Sequence, residues 1–84
     1  MTKNYYAIYD RLAETYGPLN ELVNDKVAIR SFREACKMTN GYKQHAEDLE
    51  IHRIGTFNEE SGTFEMNKEI LEKGEKNEFS NSME

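Results

Sequence analysis

The sequence predicts a small α+β domain, a strand–helix–hairpin (β-α-β-β) unit in which a three-stranded sheet packs against one main helix. Three patterns predict it: an aromatic and branched run at 4–10, a helical apolar period at about 24–39, and alternating runs at 49–57 and 63–68 around a polar turn. Eighty-four residues are enough for one domain. We place this domain at 1–73 and expect an acidic, flexible tail at 74–84, where apolar residues are few.

The run "NYYAIYD" is too short for a helix and is read as the first strand. Strand alternation places Tyr5, Ala7 and Tyr9 on one side and Tyr6 and Ile8 on the other. Because both sides are partly apolar, we expect both faces of this strand to be covered. The next segment, 11–22, contains Gly17-Pro18 and is read as a turn-containing connection.

The helix is the clearest element. Asn24 is a typical N-cap, and Asn40-Gly41 supplies a left-handed stop. Apolar side chains gather on one flank: Ala28, Ile29, Phe32, Ala35 and Cys36. Four cations gather on nearly the opposite flank: Lys26, Arg30, Arg33 and Lys37.

The stretch "GTFNEESGTFE", residues 55–65, predicts a hairpin loop. Gly62 suits the left-handed position that closes such a loop. A phosphate-binding loop would need a helix after it, whereas here a strand follows and two glutamates occupy the tip. Ile54 falls out of step with Leu49 and Ile51, and a bulge at 53–55 would bring it inward. Residues 69–73 are read as a short turn of helix.

The net charge of −5 belongs to the C-terminal third of the chain. Residues 1–57 carry eight acidic and eight basic side chains, whereas residues 58–84 carry eight acidic and three basic ones. A cationic surface in the first part is therefore compatible with an acidic protein. The lone Cys36 cannot form an internal disulfide, and no apolar run approaches membrane-spanning length. We expect a soluble intracellular protein with no membrane contact.

Catalytic, cofactor and metal sites are not predicted. Cys36 lies on the apolar flank of the helix, away from any histidine that would activate it. His45, Glu47 and Asp48 are spaced too weakly to indicate a metal site, since zinc usually takes more Cys or His ligands. We therefore predict that the protein is not an enzyme.

The pattern that favours a ligand is the cationic flank of the helix, which would follow the phosphates of a nucleic acid strand without reading its sequence. Tyr5, Tyr6 and Tyr9 would offer stacking surfaces where they are exposed, and we take Tyr5 and Tyr9 as the candidates. Both features have a plainer interpretation, because solvated helices commonly carry a charged flank and strand tyrosines commonly lie in a core or an interface.

Three motifs resemble the small non-structural protein family of the gokushoviruses, which are single-stranded-DNA phages of the Microviridae. The motifs are "YAIYDRLA" at 6–13, "NDKVAIRSF" at 24–32 and "HAEDLEIHRIGTFNEESGTF" at 45–64. The resemblance implies a protein of the infected host's cytoplasm that is absent from the virion and is suspected to act on DNA. Of the residues that the resemblance covers, Arg30 and Arg53 are the ones suited to contact phosphate.

Together these patterns predict a sequence-independent single-stranded-DNA-binding accessory protein acting in genome replication or packaging. The predicted nucleic-acid site comprises Lys26, Arg30, Arg33, Lys37, Arg53, Tyr5 and Tyr9. The alternative is a protein-interaction module that recruits a phage replication or capsid protein without touching DNA. In either case we expect a homodimer, formed through sheet edges or sheet faces, because so small a domain leaves much of its sheet uncovered.

Overall fold

A computed structural model describes residues 1–76 of the protein. The strands are β1 (Thr2–Asp10), β2 (Thr15–Tyr16), β3 (Asn20–Leu22), β4 (Leu49–Asn58) and β5 (Phe64–Lys73). The α-helix, α1, spans Asp25–Met38, and a 3-10 helix spans Lys43–Asp48. Residues 77–84, which make up most of the predicted tail, lie outside the described residues.

The strands form one antiparallel sheet of five strands, so the α+β class agrees with the prediction but the three-stranded sheet was wrong. Its order is β2-β1-β4-β5, and β3 also pairs with β1. The two strands that the prediction missed come from the 11–22 connection. Their pairs with β1 include Tyr9 with Tyr16 for β2 and Asn4 with Leu22 for β3. Runs of two and three residues are too short to show alternation in a sequence.

The turn chemistry of 10–18 explains this return along β1. The Asp10 carboxylate accepts hydrogen bonds from the backbone N–H groups of Leu12 and Ala13, which closes the turn. The Gly17 N–H then donates to the Ile8 carbonyl at 2.8 Å. Pro18 has no N–H to continue the pairing, so the edge breaks there and resumes at Asn20.

Strand β5 continues to Lys73, and the helical turn predicted for 69–73 was wrong. Residues 69–73 pair with β4, for example Glu69 with Arg53 and Glu72 with Ile51. A helical turn of five residues gains little without packing. Pairing with a neighbouring strand outweighs that local preference.

The helix agrees with its predicted bounds. The Asn24 side chain accepts a hydrogen bond from the Val27 N–H at 2.9 Å and caps it, as predicted. Its buried residues, Ala28, Phe32 and Cys36, pack into one core with sheet residues, which are Tyr6, Leu49 and Ile51. The helix therefore covers one face of the sheet. We call the opposite side, which no helix of the described chain covers, the open face; it carries Tyr5, Ala7 and Tyr9.

The predicted hairpin is confirmed, and the bulge considered at 53–55 is present, but Ile54 is half-buried and lies outside the main core. Asn58 Oδ1 accepts from the N–H groups of Glu60 and Ser61, and Gly62 adopts a left-handed φ of 75°. Pairing between β1 and β4 shifts register between Tyr5 and Tyr6, which leaves Ile54 as the extra residue.

Gly55 is required by close packing between β4 and β5. A Cβ at this position would lie 2.4 Å from the Glu65 carbonyl oxygen and 2.6 Å from the Phe64 ring. The Phe64 ring consequently lies directly over the strand backbone, 6.0 Å from the Tyr5 ring.

We predict that Gly55→Ala destabilises the fold by roughly 1–3 kcal/mol, because backbone and an aromatic ring must both shift to admit the methyl group. Urea denaturation followed by circular dichroism measures this. Gly17→Ala is the matched control, since its Cβ would meet only the Ile8 oxygen at an ordinary 3.7 Å. Equal stability for wild type and Gly55→Ala would contradict the packing described.

Candidate nucleic-acid interface

The outer flank of α1 carries the four predicted cations, and all of them are exposed. Because the opposite flank packs on the sheet, their side chains extend into solvent along about 16 Å of helix. Lys26, Arg30 and Lys37 form no ion pair within residues 1–76. We call these three the cationic ridge.

Arg33 lies on the same flank but is bound to an acid. Its Nε and Nη2 atoms donate to the two carboxylate oxygens of Glu72 on β5, each at 2.6 Å. The hydrogen bond from Arg33 holds the pKa of Glu72 below its usual value. This two-point contact offsets the charge of Arg33 and directs its donors at β5, so the residue is less available to a phosphate than its neighbours.

Among the predicted site residues, Arg53 makes the most contacts with acidic side chains of the fold. Its guanidinium contacts Asp25 and Glu69, each at 2.6 Å. Asp25 also accepts a hydrogen bond from the Tyr6 hydroxyl at 2.8 Å; burial and this bond raise the pKa of Tyr6. Arg53 thus joins the start of α1 to β4 and β5.

A shallow cavity of about 590 Å³ lies beside this contact. It brings together two predicted site residues, Lys26 and Arg53, with Asn4, Asn24, Asp25 and Asn67 also on its wall. Since Asp25 and Glu69 already neutralise Arg53, Lys26 is the cation that this cavity presents to solvent.

Tyr5 and Tyr9 lie on the open face, so the sheet separates them from the cationic ridge. Tyr5 is half-buried beside Phe64, and Tyr9 packs against Tyr16 with ring centroids 4.7 Å apart. A strand bound along α1 therefore cannot stack its bases on these tyrosines in the same molecule. The structure does not bring the seven predicted residues together on one surface.

The open face also carries a polar network that sequence reasoning missed. Glu50 and His52 are buried, and His52 Nε2 lies 2.8 Å from a Glu50 oxygen. His52 Nδ1 lies 2.8 Å from the Tyr16 hydroxyl, and Arg11 Nε lies 3.5 Å from the other Glu50 oxygen. The available signal was that Glu50 and His52, two apart on a predicted strand, must share a face.

We interpret this network as a structural feature and not as a catalytic or metal site. The imidazole also stacks on Tyr9 with a centroid distance of 5.3 Å, so both its nitrogens and one ring face are used. Among residues 1–76, no group of three His, Cys, Asp or Glu side chains is arranged to hold a metal ion. Burial raises the pKa of the Cys36 thiol, which disfavours the thiolate.

We predict a coupling energy of roughly 1–3 kcal/mol between Glu50 and His52, because truncating one partner leaves a buried polar group without its contact. A double-mutant cycle built from Glu50→Ala and His52→Ala, read by urea denaturation, measures it. The exposed pair Lys3–Glu21, 3.1 Å apart, serves as the comparison and should give less than about 1 kcal/mol. Additive single effects at Glu50 and His52 would contradict the buried contact.

Comparison with known proteins identifies a phage family. The family model described as "Phage ORF5 protein" matches residues 3–76. Neither the curated proteins nor the solved structures contain a significant match. No helix in residues 1–76 has the length and apolarity that a membrane crossing requires. Because the match covers most of the chain, from the first strand to the end of β5 and beyond, this protein belongs to the Phage ORF5 protein family.

Proposed function

We propose that the protein is a non-structural accessory protein of a gokushovirus, within the Microviridae, that binds single-stranded DNA without sequence choice during genome replication or packaging. Membership of the Phage ORF5 family supports a phage origin. The motifs at 6–13, 24–32 and 45–64 support the finer assignment. Its place would be the cytoplasm of the infected host rather than the virion.

The observation that carries DNA binding is the cationic ridge. Lys26, Arg30 and Lys37 are exposed, lack ion pairs within residues 1–76, and follow one another along a rigid helix. A ridge of about 16 Å can follow about two or three phosphates of an extended strand. Long flexible side chains on a convex helix contact phosphates without reading base edges, so the binding would be independent of sequence.

Acidic residues near the cationic ridge determine how strongly it can bind DNA. Glu34 is exposed on the adjacent flank, and the surface of β5 behind the helix carries further acids. These charges lower the positive potential, so we expect weak binding that salt readily abolishes. Three phosphate contacts would give a slope of log K against log salt of about −2 for a single strand.

Charge reversal of the ridge tests the proposal. We expect Arg30→Glu/Lys37→Glu to weaken binding of a fluorescent oligo(dT) at least about tenfold at low salt, because two phosphate contacts become repulsions. Fluorescence anisotropy across a salt series gives both the affinity and the slope.

The matched control is Lys3→Glu/Lys73→Glu, which changes net charge equally. Lys3 pairs in register with Phe57 and Lys73 with Glu50, so both are on the open face and outside segment 64–70 of the sheet edge. An equal loss in both variants would mean that net charge, not the ridge, governs binding. Wild-type protein that fails to bind at low salt would reject DNA binding and favour the protein-interaction alternative.

Releasing Arg33 should strengthen the site. We expect Glu72→Gln to tighten oligo(dT) binding and to steepen the salt slope by about 0.7, because a fourth cation becomes available on the same flank. The anisotropy series used above measures both. Glu60→Gln in the distant hairpin loop makes the same charge change and should leave the slope unaltered. A Glu72→Gln slope equal to that of wild type would show that Arg33 does not join the ridge.

A further inference from the structure

The two edges of the sheet are unequally protected. One edge consists of β2 and β3, five residues in two pieces, interrupted at Gly17-Pro18. The other is β5, which is ten residues long, pairs only with β4 among residues 1–76, and shifts register twice against it. Broken, proline-containing edges resist further pairing, whereas a long edge strand offers free backbone groups to another strand.

The β5 edge is also apolar where it is most exposed. Residues 64–70 are all exposed. Phe64, Met66 and Ile70 are 41%, 63% and 53% exposed, and strand pairing with β4 places all three on the open face. The domain has a small core, since three of its eight buried hydrophobic residues are alanines. Covering these side chains would add apolar burial that one chain cannot supply.

We propose that two copies of this chain pair through β5, antiparallel, across a two-fold axis at Asn67. This register places Phe64 opposite the partner's Ile70 and Met66 opposite the partner's Lys68. In antiparallel pairing, side chains that lie directly opposite each other point to the same face of the sheet. The two sheets therefore join into one continuous sheet with both helices on the same side. The inference is independent of DNA binding.

Side-chain chemistry favours this register over the two centred on the residues that follow Asn67. An axis at Lys68 would set two ammonium groups directly against each other, and an axis at Glu69 would do so with two carboxylates. At Asn67 the self-opposed side chains are uncharged amides; each Oδ1 already accepts from Arg53 at 3.3 Å, and each Nδ2 can donate across the axis. Glu65 would then face the partner's Glu69, a like-charge contact that Arg53, which is shared between Glu69 and Asp25, offsets in part.

A strand-edge contact of this length is smaller than a standard interface, so we expect a dissociation constant in the micromolar range, about 1–100 μM. Sedimentation equilibrium over a concentration series measures it. Met66→Lys/Ile70→Lys should raise the dissociation constant at least about tenfold, since both side chains are mainly exposed in the monomer and can change without unfolding it. Leu19→Lys, at the opposite edge and 55% exposed, should leave dimerisation unchanged.

Disulfide trapping tests the register. In a Cys36→Ala background, Asn67→Cys should form a covalent dimer with oxidised glutathione, because directly opposed strand residues lie about 4.5–5.5 Å apart between Cα atoms. Glu65→Cys is the control. Its two copies would be separated by about four residues of strand, roughly 13 Å, and should not cross-link.

A wild-type chain that stays monomeric to about 1 mM would overturn the proposal. Dimerisation that Leu19→Lys abolishes and Met66→Lys/Ile70→Lys preserves would overturn it too, by assigning the contact to the other edge. Equal cross-linking of both cysteine variants would overturn the Asn67 register. Neither oligo(dT) nor any phage protein is present in these experiments, so their outcome is separate from that of the DNA-binding proposal.

Discussion

The packing of one helix flank against one face of the sheet is the constraint on which the rest of this molecule depends. Ala28, Phe32 and Cys36 can leave water only by contacting Tyr6, Leu49 and Ile51. Once that contact forms, the orientation of α1 is fixed, and the residues half a turn away must extend into solvent. The cationic ridge is therefore a geometric consequence of the core.

Hydrogen bonds from Tyr6 and Arg53 to Asp25 fix the position of the first turn of the helix. Asp25 receives the Tyr6 hydroxyl from β1 and the Arg53 guanidinium from β4, at 2.8 and 2.6 Å. The same carboxylate lies in the first helical turn, where a negative charge also suits the helix dipole. One side chain thus links three elements. This explains why Arg53, although it carries the charge that phosphate binding needs, serves the fold.

The two faces of the sheet have different chemistry because only one is covered by the helix. The helix packs on the apolar residues Tyr6, Leu49 and Ile51 of its face, whereas the open face buries a Glu50–His52 pair beneath Tyr9 and Tyr16. The aromatic and apolar side chains around this pair remain partly exposed on the open face. Phosphate contact along α1 and self-association through the β5 edge would use separate surfaces of the chain. A small protein can then carry both without competition between them.

Local sequence patterns were enough to predict the helix, its cap, its two flanks and the hairpin loop, and they suggested the bulge near Ile54 without settling it. Each of these follows from local chemistry: a side chain that caps its own backbone, a 3.6-residue period, or a glycine with positive φ. The sheet beyond three strands was decided only by tertiary structure. Strands β2 and β3 are too short to carry a pattern, and the end of β5 is a strand because β4 lies beside it.

The candidate site was likewise predictable in part. Helical periodicity placed four cations on one flank, but which of them remain unpaired depends on acids that are distant in the chain. Glu72 is 39 residues from Arg33, and Asp25 is 28 from Arg53, so only the folded sheet brings them into contact.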